Sequence, residues 1–230
     1  MLFVLVIVLV LLLIYGPHLW IRHVMARHGG TLDELPGTGG ELARHLIERF
    51  DLGDVEVEPT SGGDHYDSAA RKVRLSPDIM NGRSLTAVAV AAHEVGHAIQ
   101  YHRQERITHL RQRYSPLAMT IQKIAIGILL AAPLLAAVFH VPQIALVTVL
   151  AGILAMLASA LIQMIILPME WDASFNKALP ILIEGEYISQ SQYAAARSVL
   201  RAAALTYVAA ALVDMLRLGR WLAILRAAIR

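Results

Sequence analysis

The stretch AAHEVGHAIQ, residues 91–100, places two histidines four positions apart, with a glutamate directly after the first. Positions i and i+4 lie on the same face of a helix, so His93 and His97 can both reach one metal ion. Glu94 then lies beside the metal, where a general base would activate a zinc-bound water. The spacing therefore predicts a catalytic Zn²⁺ site of the H-E-x-x-H type on a helix.

The residues around this motif argue against a chance match. Two surface histidines on an amphipathic helix are the simplest alternative explanation. The neighbouring residues are small and uncharged, however, and ionisable groups in so apolar a helix need partners. Gly82 interrupts the chain before this helix, and Ser84 is of a residue type that commonly forms an N-cap.

The composition of the 230 residues limits the class of protein. Hydrophobic residues make up 57% of the chain and charged residues 17%, whereas an ordinary soluble domain is about a quarter charged. The net charge of +2 does not favour nucleic acid as a partner. Because the chain contains no cysteine, a bound metal must be held by His, Asp or Glu.

Three apolar runs predict membrane spans. Residues 1–21 resemble a retained transmembrane helix, since about 20 apolar residues cross a bilayer. Residues 119–141 and 144–167 predict a transmembrane hairpin with a short connection. The polar stretches 22–115 and 168–230 would then form two parts of one catalytic domain.

The polar stretches contain helical patterns and a short strand pattern. Residues 41–50 are amphipathic at helical spacing, and residues 55–76 resemble two short strands around a Gly-rich turn. Residues 217–230 favour an amphipathic helix, either at a membrane interface or on the protein surface. We therefore predict a mainly α-helical integral membrane protein with a small β-hairpin or sheet, about three transmembrane helices and a zincin-like catalytic domain.

The distribution of basic residues predicts the orientation in the membrane. Apart from Lys123, every Lys and Arg lies in residues 22–113 or 177–230, and the hairpin tip has none. The positive-inside rule places both basic stretches in the cytoplasm. This predicts a multi-pass protein of the cell membrane with its active site facing the cytoplasm.

A catalytic zinc normally takes a third protein ligand, and Glu170 in MEWDASFNKAL is the best candidate. It follows the predicted hairpin and returns to the same side. Asp172 could hold a ligand histidine by its second ring nitrogen, or could instead complement a helix N-terminus. Three other candidates, namely His102, Glu105 and His109, follow the motif too closely to return to the metal.

The developing oxyanion and the substrate need further groups. Tyr207, His65 and Arg201 are candidate oxyanion donors, and Tyr207 is preferred because a phenol within an apolar helix needs a partner. Residues 72–76 could form an edge strand that pairs with substrate, although an ordinary hairpin fits them equally well.

Four blocks together, AVAAHEVGHAIQ, DHYDSAARKVRLSP, MEWDASFNKAL and LRAAALTYVAAAL, resemble the YugP-like family of membrane zinc metallopeptidases. The resemblance covers most of the chain after residue 30 and extends loosely to HtpX and Ste24 peptidases. It implies that His93, His97 and Glu170 are gluzincin-like zinc ligands and that Glu94 is the base. The broader group often has an aspartate four residues after the ligand glutamate, whereas Asp172 here follows after two.

These observations predict a membrane-anchored zinc metalloendopeptidase in which Glu94 activates the zinc-bound water. One alternative is an intramembrane protease of the site-2 type, although the chain lacks its N-P-x-x-x-L-D-G stretch. Another is a non-enzymatic membrane scaffold with a structural zinc, although such sites usually use cysteine. The expected partners are a protein or peptide substrate and the lipid bilayer, with membrane partner proteins or a second copy of the chain as further possibilities.

Overall fold

The computed structural model describes residues 2–139, 142–206 and 208–209. This part of the chain is mainly helical, with a small three-stranded sheet. The α-helices are α1 (Leu2–Arg27), α2 (Gly39–Arg49), α3 (Pro77–Met80), α4 (Leu85–His102), α5 (Thr108–Phe139), α6 (Pro142–Asp172), α7 (Leu179–Glu184) and α8 (Tyr193–Ala204). The strands are β1 (Glu56–Pro59), β2 (His65–Asp67) and β3 (Lys72–Leu75). A π-helical turn spans Ala173–Ala178, and a 3₁₀ turn spans Gln190–Gln192.

The chain divides into two compact units. One unit contains residues 19–109 and 168–206, and the H-E-x-x-H helix and Glu170 both belong to it. The other contains the described parts of residues 1–18, 110–167 and 207–230.

Over the described residues, no helix combines the length and the apolar content needed to cross a membrane. The prediction of about three transmembrane helices is therefore wrong, and so is the multi-pass cell-membrane location inferred from it. Helix α5 includes the basic residues Arg111, Arg113 and Lys123, and its uncharged part beyond Lys123 is shorter than the about 20 residues of a span.

Helix α2 begins at a capping box. The Thr38 hydroxyl accepts a hydrogen bond from the Glu41 amide, and the Glu41 carboxylate accepts one from the Thr38 amide. The apolar face includes Leu46, which is completely buried, and packs against α4. Gly39 allows the two helices to approach closely, because a Cβ there would lie 2.7 Å from the Ala87 carbonyl oxygen.

The sheet has the strand order β1-β3-β2, with β1 parallel and β2 antiparallel to β3. Val73 and Leu75 alternate with basic residues along β3 and are fully buried, as the period of two in the sequence predicts. Since β3 is the central strand, residues 72–75 are not an edge available to substrate, and that prediction is wrong.

Helix α4 is the centre of its unit. Its residues 85–100 are all buried, and α2, α3, α8 and the π-helical turn pack around it. A helix that is surrounded in this way needs no polar face, which explains its apolar sequence. Ser84 caps it by accepting a hydrogen bond from the Ala87 amide at 3.1 Å, which confirms the predicted helix start.

Candidate metal centre

The two histidines of α4 lie on one face of the helix. Their ring centroids are 4.7 Å apart with an interplanar angle of 77°. His93 is 3% exposed and His97 is 1% exposed. Imidazoles this deeply buried need polar partners.

Glu170 lies in the last turn of α6 and is completely buried. One carboxylate oxygen, Oε2, lies 3.3 Å from His93 Nε2 and 3.1 Å from His97 Nε2. Burial by itself would raise the pKa of Glu170. The charge of His97 and the hydrogen bonds from both histidines outweigh that effect and hold this pKa well below its usual value. The carboxyl group is therefore ionised at neutral pH.

These three residues fit a zinc ion. Among the described residues, His93, His97 and Glu170 form a potential metal site, with ligand atoms that all lie within 4.8 Å of one another. Two atoms that each bind zinc at about 2 Å can be at most about 4 Å apart, and the distances of 3.3 Å and 3.1 Å from Glu170 Oε2 to the two Nε2 atoms lie within that limit. Two imidazoles and one carboxylate are a donor set that catalytic zinc uses, and they leave a fourth position open.

A family model described as "Putative neutral zinc metallopeptidase" matches residues 3–226 of the chain. The chain belongs to this zinc metallopeptidase family. This confirms the resemblance found in the sequence, and it agrees with zinc as the predicted metal. The chain is also 38% identical over 189 residues to the "Putative membrane protease YugP" of Bacillus subtilis (strain 168), a match that covers 81% of this chain and 80% of that protein. No solved structure matches.

The amide of Gln100 contacts the second ring nitrogen of His97. Gln100 Oε1 lies 2.9 Å from His97 Nδ1, and its Nε2 donates to the Met169 carbonyl oxygen and to Asp172 Oδ2. Asp172 therefore reaches the histidine only through Gln100. The sequence had suggested that Asp172 could contact a ligand histidine directly. In the structure, the side-chain amide of Gln100 lies between Asp172 and His97.

Asp172 is held by several donors. Asn176 Nδ2 donates to it at 2.7 Å and Lys177 Nζ at 3.0 Å, in addition to Gln100. Burial raises the pKa of Asp172, but the hydrogen bonds from Gln100, Asn176 and Lys177 outweigh burial and lower it overall. Lys177 also lies 3.2 Å from Glu105 Oε1, so Glu105, one of the discarded ligand candidates, makes an ion pair instead.

The second ring nitrogen of His93 contacts a serine. Ser174 Oγ lies 3.0 Å from His93 Nδ1 and donates its own hydrogen to the Leu200 carbonyl oxygen at 3.1 Å. Ser174 is fully buried in the π-helical turn that follows α6. The two histidines of the candidate site thus each have a neutral side chain in contact with Nδ1.

Gly96 allows the π-helical turn to reach α4. A Cβ at Gly96 would lie 2.8 Å from the Ala173 carbonyl oxygen and 3.3 Å from Lys177 Cβ. The glycine of HEVGH is therefore needed for close backbone approach rather than for an unusual backbone angle. π-helical turns often occur at functional sites, and this one carries Ser174 to its position behind His93.

The remaining predicted residues lie in different places. Glu94 is 6% exposed and follows His93 on α4, within the buried part of the helix. Tyr207 lies outside the described residues. Of the alternative oxyanion donors, Arg201 is exposed on α8, and His65 lies on β2 with its Nδ1 2.9 Å from the Gly63 carbonyl oxygen.

Sequence analysis missed Gln100 and Ser174. Gln100 follows His97 by three positions, so helical spacing could have indicated that it lies on the same face. Ser174 gave no such signal, because its partner His93 is 81 positions away.

Proposed function

We propose that this protein is a gluzincin-like zinc endopeptidase in which His93, His97 and Glu170 hold the metal and Glu94 is the general base. The observation that carries the proposal is the convergence of three buried ligand atoms from α4 and α6 next to a buried glutamate. We further propose that residues 19–109 and 168–206 form the catalytic unit, since all four residues belong to it.

When bound, zinc would polarise the scissile carbonyl group and lower the pKa of a water molecule towards about 7. Glu94 then accepts a proton from the attacking water while a new C–O bond forms at the carbonyl carbon. As the C–N bond breaks, Glu94 returns the proton to the leaving amine. The products are a carboxylic acid and an amine, which ionise to a carboxylate and an ammonium group, so the reaction needs no other reactant than water.

Glu94 is suited to this work by its position. Glu94 directly follows His93 but is not one of the three residues that could hold the metal, so its carboxylate remains available for proton transfer. A zinc site with a purely structural role would not need it. Tyr207 remains our proposed oxyanion donor, and protein or peptide remains the expected substrate class. Membrane partner proteins and a second copy of the chain stay predictions of the sequence.

The decisive experiment is Glu94→Gln, which preserves shape and removes the base. We expect the variant to keep stoichiometric zinc and to lose at least about 100-fold of casein cleavage, the lower bound for general-base catalysis. Glu48→Gln makes the same change at an exposed position of α2 and should cleave like the parent. If Glu94→Gln cleaves casein as fast as the parent, the proposal is wrong. If neither the parent nor Glu94→Gln cleaves anything, the zinc is structural.

A further inference from the structure

We propose that Gln100 is the positioning residue of the metal centre. It presents His97 Nε2 to the metal, and it fixes the distance between α4 and the segment that carries Glu170. The inference rests on the proposed metal site but not on the chemistry assigned to Glu94.

The hydrogen bonds of Gln100 determine which way its amide faces. The side chain is completely buried. Its Nε2 donates to the Met169 carbonyl oxygen at 3.1 Å and to Asp172 Oδ2 at 2.8 Å, and both of these groups are acceptors only. The amide nitrogen must therefore face them, and the amide oxygen must face His97.

The orientation of the amide selects the tautomer of His97. An amide oxygen can only accept, so His97 Nδ1 must carry a hydrogen and donate it across 2.9 Å. With zinc bound in place of the hydrogen bond between Nε2 and Glu170, the ring would be neutral and its lone pair would lie on Nε2, on the side of Glu170. This is the state in which an imidazole binds zinc, and here the partner of Nδ1 is an amide rather than a carboxylate.

Gln100 also forms hydrogen bonds to residues on both sides of the third ligand, Glu170. Met169 directly precedes Glu170, and Asp172 follows it by two residues. Asp172 is in turn held by Asn176 and Lys177. One buried side chain therefore links His97 to the backbone next to Glu170, and shortening or losing that link must change the separation of two metal ligands.

Ser174 provides a useful contrast. It also accepts from a histidine Nδ1 and donates to a backbone carbonyl group, but that carbonyl belongs to Leu200 on α8. Ser174 thus orients His93 without touching the residues on either side of Glu170. Of these two side chains, Gln100 is the one that bonds to residues on both sides of Glu170.

The test is Gln100→Met, which keeps the length of the side chain and removes every hydrogen bond. We would measure the Kd for zinc by competition with a chelator, the visible spectrum of the cobalt-substituted protein, and the circular dichroism of the metal-free protein. We expect the Kd to rise by about 10- to 100-fold and the cobalt spectrum to change. The matched control Gln190→Met, at an exposed position, should leave both unchanged.

A role in overall stability alone would lower the melting temperature but would leave the cobalt spectrum of the folded protein as it is. If metal-free Gln100→Met is folded and has the parent's Kd and spectrum, the proposal is overturned. If that variant does not fold, Asp172→Asn tests the same link, because it weakens the anchor of Gln100 at a side chain that is 17% exposed. Unchanged zinc affinity and spectrum in Asp172→Asn would then overturn it.

The double variant shows whether Asp172 affects zinc affinity through Gln100 or by another route. Where Gln100→Met folds, Asp172→Asn should raise the Kd in the parent and change it little in the Gln100→Met background. Full additivity would contradict the link. The outcomes also separate the two proposals of function and positioning. If Gln100→Met binds zinc more weakly and Glu94→Gln is fully active, only the peptidase mechanism is overturned. If the parent protein binds no zinc, both proposals are overturned.

Discussion

The candidate metal centre on α4 and the three-stranded sheet both pair carboxylates with nitrogen donors, but the first is buried and the second is partly exposed. Glu170 has a side-chain exposure of 0%, and its partners His93 and His97 are nearly as buried. Glu58 on β1 is 32% exposed and accepts hydrogen bonds from Lys72 and Arg74 on β3. In the sheet, water can replace any lost partner, so each exposed pair contributes little.

In the metal centre, no such replacement is available. Removing one partner leaves a buried polar group unsatisfied, which costs several times more than breaking a surface pair. Buried titratable groups with shifted pKa values are concentrated at functional sites, where a ligand can interact with them. The comparison agrees with the metal-binding role proposed for the buried cluster.

The largest expected effect is that of zinc on stability. Zinc at about 1,000 times its Kd should raise the free energy of unfolding by about 4 kcal/mol, because the ion binds the folded state. Denaturant unfolding with and without a chelator measures the increment. At the same zinc concentration, the increment should fall below about 1.5 kcal/mol in Glu170→Ala and persist in full in Glu58→Gln. An equal increment in both variants would remove the distinction between the two regions.

Loss of the third ligand should come next. Glu170→Ala should raise the Kd for zinc by more than about 100-fold, since removing even an outer partner of a ligand costs about 10- to 100-fold. Metal content after dialysis, together with chelator competition, gives the result. Glu58→Ala makes the same change in the sheet and should retain the metal. Full zinc in Glu170→Ala would move the third ligand elsewhere.

A smaller effect is expected from Gly96→Ala, which tests the contact between α4 and the π-helical turn. The added methyl group would press on the Ala173 carbonyl oxygen and should cost about 1–3 kcal/mol of stability, as overpacking does. Gly127→Ala is the control, because nothing lies within 4 Å of a Cβ at that position. It should be neutral or stabilising, since alanine favours a helix over glycine. Equal urea midpoints for the two variants would contradict the close approach.

The smallest effect is expected in the sheet and depends on pH. Hydrogen bonds from Lys72 and Arg74 lower the pKa of Glu58 below its usual 4.5. A carboxyl group with a depressed pKa in the folded state contributes stability that is fully present above 4.5 and is lost as the pH falls through the lower, folded-state pKa. Glu58→Gln should therefore differ slightly from the parent at neutral pH and converge with it in acid.

Glu56→Gln is a suitable control for this titration, because Glu56 is 72% exposed and lies 3.4 Å from Lys72. At neutral pH it should change the unfolding free energy less than Glu58→Gln. A larger effect of Glu56→Gln would mean that the contributions of these ion pairs to stability do not decrease with exposure.

Part of the fold and of the site followed from sequence patterns alone. The apolar run around HEVGH, with Ser84 before it, predicted α4 and its start, and alternation predicted the buried Val73 and Leu75. The family and its zinc were also predicted. For residues 119–141, the transmembrane prediction failed because the helix that contains most of them begins among basic residues and leaves an uncharged part too short for a span. Helix α4 is also apolar, but its apolar residues are covered by other helices.

The sequence by itself determined the spacing of His93 and His97, because one helical turn sets it locally. Only the tertiary structure decided how Glu170, 73 positions further along, comes within 3.1 Å of His97 and which side chains stand behind the imidazoles. Gln100 and Ser174 acquire their roles from carbonyl groups of Met169 and Leu200, which no local pattern relates to them. Local backbone geometry places neighbours in sequence, whereas hydrogen bonds between distant segments depend on how the helices pack.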